Sequence, residues 1–198
     1  EKVAGLLIEK ELSFLGKALD HPAHPFVAVL GGAKVSDKIG VIDNLIDKVD
    51  TIIIGGGMAN TFLAAQGLNV GNSLTEPDTY DLARKLYAKA HAHHVKIVLP
   101  VDVVAAEEFS AEAAHKVVRA DAIGKGWQAL DAGPKTRALY APTLKGAKTI
   151  VWNGPMGVFE FDTFAAGTEA MAEAVAEATK AGAVSVVGGG DSIAALKK

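Results

Sequence analysis

Short apolar stretches alternate along this chain with segments of helical periodicity, and that alternation limits the possible folds. Six stretches are apolar on both faces: 26–30, 51–54, 96–99, 116–118, 149–152 and 183–187. Strands that are buried on both faces are typical of a parallel sheet, because its crossover helices cover both sides. The sequence therefore predicts an α/β, doubly wound, Rossmann-like fold with three α/β/α layers and a mostly parallel sheet of about six strands.

Capping residues and apolar spacing predict the intervening helices. Ser36 is expected to cap the first of them, Asp78 or Thr79 the second, and Thr168 a helix over 169–181 that ends at Gly182. Residues 1–20 have the spacing of an amphipathic helix. A helix from Pro134 is expected to end near Ala141, because proline follows at position 142. The stretch 101–133 has no regular pattern, and its structure stays open.

Composition excludes several classes of protein. The 198 residues include 20 Lys and Arg against 23 Asp and Glu, so the net charge of −3 argues against a nucleic-acid surface. The absence of cysteine excludes disulfides, thiolate metal sites and a cysteine nucleophile. No apolar run approaches the roughly 20 residues that cross a bilayer. We expect a cytoplasmic monomer of one domain, with no nucleic-acid or membrane partner.

Glycine-rich turns follow four of the predicted strands. These turns are Gly31-Gly32-Ala33-Lys34, Gly55-Gly56-Gly57, Asn153-Gly154-Pro155 and Gly188-Gly189-Gly190-Asp191. The carboxyl ends of parallel strands meet at one edge of the sheet, where ligands bind in open α/β folds, and glycine lets the backbone approach a ligand closely. A single turn of this kind would be explained by chain reversal alone. Four at one edge favour a ligand site.

The charged residues in these turns indicate what kind of ligand is bound. Lys34 and Lys38 lie at the start of a predicted helix, where a cation opposes the helix dipole at a cost of about 0.3–1 kcal/mol. A bound phosphate would remove that conflict. For Lys38, a position in solvent with Asp37 offsetting its charge is an equal alternative. Asp191 either caps the last helix or holds Mg²⁺, and both alternatives stay open.

Several known site patterns are absent from the sequence. There is no G-x-x-x-x-G-K-[ST] loop, G-x-G-x-x-G turn, G-x-S-x-G turn or H-E-x-x-H helix. This disfavours a P-loop enzyme and a nicotinamide dehydrogenase. The cluster His91, His93 and His94 lies at the end of a predicted helix, where the dipole favours imidazoles, and is interpreted as a solvated end rather than a metal site.

Five segments, 30–38, 54–59, 99–102, 151–160 and 188–192, together resemble the phosphoglycerate kinase family, specifically its carboxyl-terminal nucleotide-binding domain. The resemblance runs in order along nearly the whole sequence. Members of that family are about twice as long. The resemblance therefore implies that 1–198 is a single nucleotide-binding domain, with 1–20 as an interdomain helix. The amino-terminal substrate domain and the final carboxyl-terminal segment are expected to be missing from this sequence.

The resemblance also implies a role for individual residues, with ATP or ADP and Mg²⁺ as the ligands. Lys34 resembles the lysine that follows the transferred phosphoryl group, and Lys38 a lysine that contacts the nucleotide phosphates. Asp191 resembles the Mg²⁺-linked aspartate. The remaining positions are Gly190 and Ser192 as amide donors, Asn153 near the phosphates, Pro155 beside the nucleoside, Glu160 on the ribose, and Gly31, Gly55, Gly56, Leu74 and Leu130 around the adenine. Ala129 departs from the family, which commonly has glycine there.

The implied reaction is the glycolytic transfer of a phosphoryl group from ATP to 3-phosphoglycerate, or from 1,3-bisphosphoglycerate to ADP. In that family the phosphoglycerate is bound by the amino-terminal domain, so this chain alone is expected to lack turnover. One alternative is a non-catalytic folding module whose nucleotide site is incomplete.

Overall fold

A computed structural model describes residues 21–189. The predicted helix over 1–20 and the predicted ligands Gly190, Asp191 and Ser192 lie outside the described residues. The described chain runs in this order: β1 (Phe26–Leu30), α1 (Ile39–Ile46), β2 (Thr51–Ile54), α2 (Gly56–Ala65), β3 (Asn69–Val70), a 3₁₀ turn (Pro77–Thr79), α3 (Tyr80–Ala92), β4 (Lys96–Val98), β5 (Asp102–Ala106), β6 (His115–Arg119), β7 (Ala122–Ile123), β8 (Gln128–Ala132), α4 (Pro134–Leu144), β9 (Thr149–Asn153), a 3₁₀ turn (Asp162–Phe164), α5 (Ala166–Lys180) and β10 (Val184–Gly188).

Five strands form a parallel central sheet in the order β10-β9-β1-β2-β4. Every residue of β1 and of β9 is buried, as expected for strands covered on both faces. Along β1, Phe26, Ala28 and Leu30 pack against α1, α2 and α3. Val27 and Val29 point the other way, toward α4 and α5. The predicted three-layer doubly wound fold is confirmed.

One of the six predicted strands, 116–118, does not belong to the central sheet. Residues 116–118 belong to β6, which pairs antiparallel with β5 in a separate three-stranded sheet of order β6-β5-β8. Val117 is 54% exposed. Only two valines, flanked by Lys116 and Arg119, form this apolar run, and a run that short does not distinguish a buried strand from an exposed one. The strands of this separate sheet, together with β7, which pairs with β3, account for about half of the stretch 101–133.

Three helix ends differ from their predictions. Helix α1 begins after Lys38, because Ser36 instead donates its hydroxyl hydrogen to Glu76 at 2.6 Å. Helix α5 begins at Ala166, and its buried Thr168 accepts the backbone N–H of Met156. Helix α4 continues through Pro142 to Leu144. Burial of Leu144 beside α5 outweighs the helix-breaking preference of proline in that last turn.

Helix α3 begins after Thr79, as predicted. Helix α2 was not predicted, because its first residues are glycines, which have low helix propensity. Tertiary packing compensates, since Met58, Ala59 and Phe62 are buried against the sheet. None of the helices between residues 21 and 189 is both long and apolar enough to cross a membrane.

A buried polar contact holds β5 against the start of α4. The Asp102 carboxylate accepts the backbone N–H groups of Lys135 at 3.0 Å and Thr136 at 2.8 Å. The Thr136 hydroxyl lies 2.7 Å from the same carboxylate and accepts the N–H groups of Val101 and Asp102. Free amides at a helix start need acceptors, and this carboxylate supplies them from another strand.

Replacing Thr136 by valine should lower the free energy of unfolding by roughly 1–3 kcal/mol, because the buried N–H of Asp102 and the partly buried N–H of Val101 lose their acceptor. Denaturant unfolding measures the change. Thr143→Val is the matched control, since Thr143 is only half-buried on the same helix and its hydroxyl bonds the Leu139 carbonyl of its own helix; the change should alter stability by less than about 0.5 kcal/mol. Equal effects of the two changes would contradict the importance of the Asp102 contact.

Candidate functional site

A cavity of about 440 Å³ opens at the carboxyl edge of the central sheet, between that sheet and the β6-β5-β8 sheet. Its wall is built from the turn after β1, the start of α2, strand β8 and the segment that follows β9. Among the lining residues are Gly32, Ala33, Gly55, Gly56, Gly57, Asn60, Leu74, Phe109, Ala129, Leu130, Asp131, Pro155, Met156, Val158 and Glu160. Most of these side chains are apolar or absent, which suits a flat apolar ligand group with a few polar atoms.

Backbone hydrogen bonds join three of the glycine turns directly. Gly31 N–H donates to the Asn153 carbonyl at 2.8 Å, and Gly32 N–H to the Pro155 carbonyl at 3.1 Å. A Cβ on Gly31 would lie 2.6 Å from the Gly154 carbonyl oxygen, closer than real Cβ contacts. Glycine is thus required at position 31 by the packing of one turn on another.

Two amides at the start of α2, those of Gly56 and Met58, are engaged in the same way. Gly56 N–H donates to the Met156 carbonyl at 3.2 Å, and Met58 N–H to the Gly32 carbonyl at 3.0 Å. Gly56 also has a φ of +68°, a conformation that favours glycine. Because these amides already have acceptors, they are not available to a phosphate.

The two predicted phosphate-binding lysines lie beside the cavity rather than in its wall. Lys38 is half-buried and its Nζ donates to Asn153 Oδ1 at 2.6 Å, so the structure brings these two predicted residues together. Its side chain therefore points toward β9 and not into solvent. Lys34 is exposed.

Glu76 holds the loop that carries Lys34. Burial alone would raise the pKa of Glu76, but hydrogen bonds from the side chain and backbone of Ser36, together with the nearby charge of Lys34, lower it overall. Its own N–H donates to the Thr61 hydroxyl at 3.1 Å, which fixes the Leu74 side of the cavity to α2. The loop with Lys34 and the wall with Leu74 are thereby connected.

Six of the predicted nucleoside contacts line the cavity: Gly55, Gly56, Leu74, Leu130, Pro155 and Glu160. Leu130 is 6% exposed, whereas Leu74 is 57% exposed at the rim. Ala129, which departs from the family pattern, also lines the cavity. Gly31 lies in the adjoining turn.

Sequence reasoning missed Asn60, Phe109, Gln128 and Asp131 as wall residues. Three of them lie in the stretch 101–133, where antiparallel strands gave no pattern that sequence reasoning recognised. Asn60 lies within α2, the helix that was not predicted. The one available signal in the sequence was Asp131, a charged residue between the apolar residues Leu130 and Ala132.

Within residues 21–189, no group of three or more His, Cys, Asp or Glu side chains could hold a metal ion. His91, His93 and His94 are exposed at the end of α3, and His93 lies 3.6 Å from Asp47. The predicted metal ligand, Asp191, is outside the described residues.

Asp131 is a buried carboxyl group in the cavity wall. It accepts the N–H groups of Ala132 at 2.8 Å and Gly167 at 3.1 Å, and so ties β8 to the start of α5. Burial raises the pKa of Asp131 to about 7, although these hydrogen bonds and the charge of Arg137 act in the opposite direction. Glu169 raises it further. The carboxyl group therefore changes its charge near neutral pH.

The raised pKa of Asp131 predicts a stability that falls as pH increases. Below about pH 4 the group is protonated in both states; between that value and about 7 only the unfolded chain ionises, which favours unfolding. Asp131→Asn, measured by denaturant unfolding at pH 5 and pH 8, should reduce this fall by roughly 2 kcal/mol. The exposed control Asp81→Asn should retain the full pH dependence. An unchanged slope in the Asp131 variant would contradict the assignment.

Comparisons with known proteins all identify similarity to phosphoglycerate kinases. The family model described as phosphoglycerate kinase matches residues 1–198. A phosphoglycerate kinase of Chloroflexus aggregans is 58% identical over 196 residues, which are 99% of this chain and 49% of the relative. One from Moorella thermoacetica is 58% identical over 195 residues, 98% of this chain and 49% of the relative.

Solved structures agree with the sequence relatives. Phosphoglycerate kinase from Coxiella burnetii matches with a TM-score of 0.89 and 49% identity, covering 96% of this chain and 49% of that one. The enzyme from Pyrococcus horikoshii matches with a TM-score of 0.79 and 31% identity, covering 97% and 48%. The chain spans about half the length of the relatives it matches.

Proposed function

The chain belongs to the phosphoglycerate kinase family, and on that premise we propose that it is the half of such an enzyme that binds ADP and ATP with Mg²⁺. The single observation that carries this proposal is the position of the cavity. It lies at the carboxyl edge of a parallel sheet, where this type of fold binds nucleotides, and the Lys34 and Lys38 turn adjoins it.

The proposed orientation of the nucleotide follows from the two kinds of surface. The apolar wall between Leu74 and Leu130 takes the base, with Pro155 beside the nucleoside and the Glu160 carboxylate accepting hydrogen bonds from ribose hydroxyls. The Gly56 and Met58 amides of α2 already have acceptors, and the positive charge lies at Lys34 and the Lys38–Asn153 pair, so the proposed orientation extends the phosphates toward those residues.

For Mg²⁺, the proposed ligand is Asp191, with Gly190 and Ser192 as amide donors to the phosphates. An aspartate suits the ion, because Mg²⁺ prefers oxygen ligands and keeps several waters. The bound ion would neutralise charge on the phosphates. Lys34 would contact the phosphoryl group that is transferred and is the proposed catalytic residue.

The proposed whole-enzyme reaction joins this half to a second half that holds 3-phosphoglycerate. A carboxylate oxygen of the glycerate forms a bond to the γ-phosphorus of ATP while the bond from that phosphorus to the bridging oxygen breaks, and the electron pair remains on ADP. A carboxylate is already ionised at neutral pH, so the attack needs no general base. The protein then contributes positioning and positive charge, which is what lysines beside the cavity provide.

As a glycolytic enzyme, the whole protein is proposed to act in the cytoplasm as a monomer. Turnover requires both substrates to be held together with water excluded. We therefore expect the 198-residue chain alone to bind nucleotide with negligible kinase activity. A coupled assay with 3-phosphoglycerate and MgATP tests this, and substantial activity would overturn the need for a second half.

Calorimetric titration with ADP, with and without Mg²⁺, tests the nucleotide site. Saturable binding that Mg²⁺ strengthens is expected. A flat titration from a chain that melts cooperatively would contradict the proposal and favour a folding module with an incomplete site.

The change Lys34→Met keeps an apolar stem and removes one charge beside the proposed phosphates. It should weaken ADP binding about tenfold, since one charged hydrogen bond is worth about 1.5 kcal/mol, and should leave adenosine binding unchanged. Lys180→Met is the matched control, because the end of α5 leads to the start of β10 and so lies at the opposite edge of the sheet. Equal losses for ADP and adenosine would show that Lys34 does not contact phosphate.

A further inference from the structure

Asn60 is a buried polar residue in the apolar part of the cavity. It lies on the same face of α2 as Gly56 and Gly57, four and three residues earlier respectively, and all three line the cavity. Only 4% of Asn60 is exposed. The neighbouring Thr61, by contrast, points to the protein and accepts the Glu76 N–H.

The Asn60 amide makes no hydrogen bond to any residue of the described chain, 21–189. Within the same residues, every fully enclosed polar side-chain atom has a partner, so the Asn60 amide must face the cavity space. No protein group of the described chain competes for the hydrogen bonds of this amide, so it is available to a molecule in the cavity. A polar side chain that is otherwise buried and that faces an apolar cavity is placed to orient a ligand.

We propose that Asn60 determines base specificity, with its side-chain amide pairing with the edge of the nucleobase bound in this cavity. This inference rests on the proposed nucleotide site. Asn60 Oδ1 would accept a hydrogen from the exocyclic amino group of adenine, while Nδ2 donates to the adjacent ring nitrogen. Adenine offers such a donor and acceptor side by side, and asparagine is well suited to that pair.

The other polar side chains of the described wall are less suited to this role. Both oxygens of Asp131 already accept backbone N–H groups. Glu160 is exposed and charged, and Gln128 is only half-buried. Asn60 is more deeply buried than Glu160 or Gln128. A polar contact discriminates between bases best where water has little access to replace it.

The test compares ADP with purine riboside diphosphate, which lacks the exocyclic amino group and is otherwise the same. Calorimetry on the 198-residue chain should show ADP binding about tenfold more tightly than this analogue. In Asn60→Leu and Asn60→Ala the ratio should fall to about one, because neither side chain pairs with the amino group. Asn44→Leu, at an exposed position on α1, should keep the ratio of the unmodified chain.

A second measurement needs no substitution. The side-chain amide resonance of Asn60 should shift on addition of ADP and shift less with the analogue, which keeps the inference testable if a variant fails to fold. If ADP binds but the ratio persists in the variants, or the resonance does not respond, the role of Asn60 is wrong while the nucleotide site stands. If the unmodified chain binds no ADP, the nucleotide site itself is wrong, and the role of Asn60 with it.

Discussion

The interlocking of three turns at one edge of the sheet is the constraint on which the rest of the structure depends. The turn after β1 donates hydrogen bonds to the segment after β9 and accepts one from α2. A side chain at Gly31 would force these backbones apart. Because the turns are held by their own backbone groups, the cavity they border has a fixed shape before any ligand binds.

This constraint also changes the interpretation of the glycine-rich turns at the strand ends. Glycine-rich turns at strand ends usually suggest amides that await a phosphate. Here the amides of Gly31, Gly32, Gly55 and Gly56 all donate to backbone carbonyls. Close packing between turns explains these glycines without a ligand. The case for a phosphate-bearing ligand therefore rests on the lysines and on the apolar cavity beside them.

The second sheet converts the open edge into a cavity. Strand β8 contributes Leu130 and Asp131 to the wall, and the Asp131 carboxyl group reaches across to the start of α5. The Asp102–Thr136 contact holds β5, the partner strand of β8, against α4. The second sheet is thus attached to the central layers by two buried carboxyl groups, one on β8 and one on β5.

The sequence by itself determined the strands of the central sheet. A strand that is buried on both faces has a continuous apolar run, and such a run can be recognised without knowing which segments pack against it. The sequence also predicted six residues of the cavity wall, since motifs at strand ends resemble those of a known family. Tertiary structure alone decided the β6-β5-β8 sheet, helix α2, and the burial of Asn60 and Asp131. Those features depend on contacts between segments far apart in the chain: Val117 and Val151 look alike in the sequence, and only the neighbours each one meets make the first exposed and the second buried.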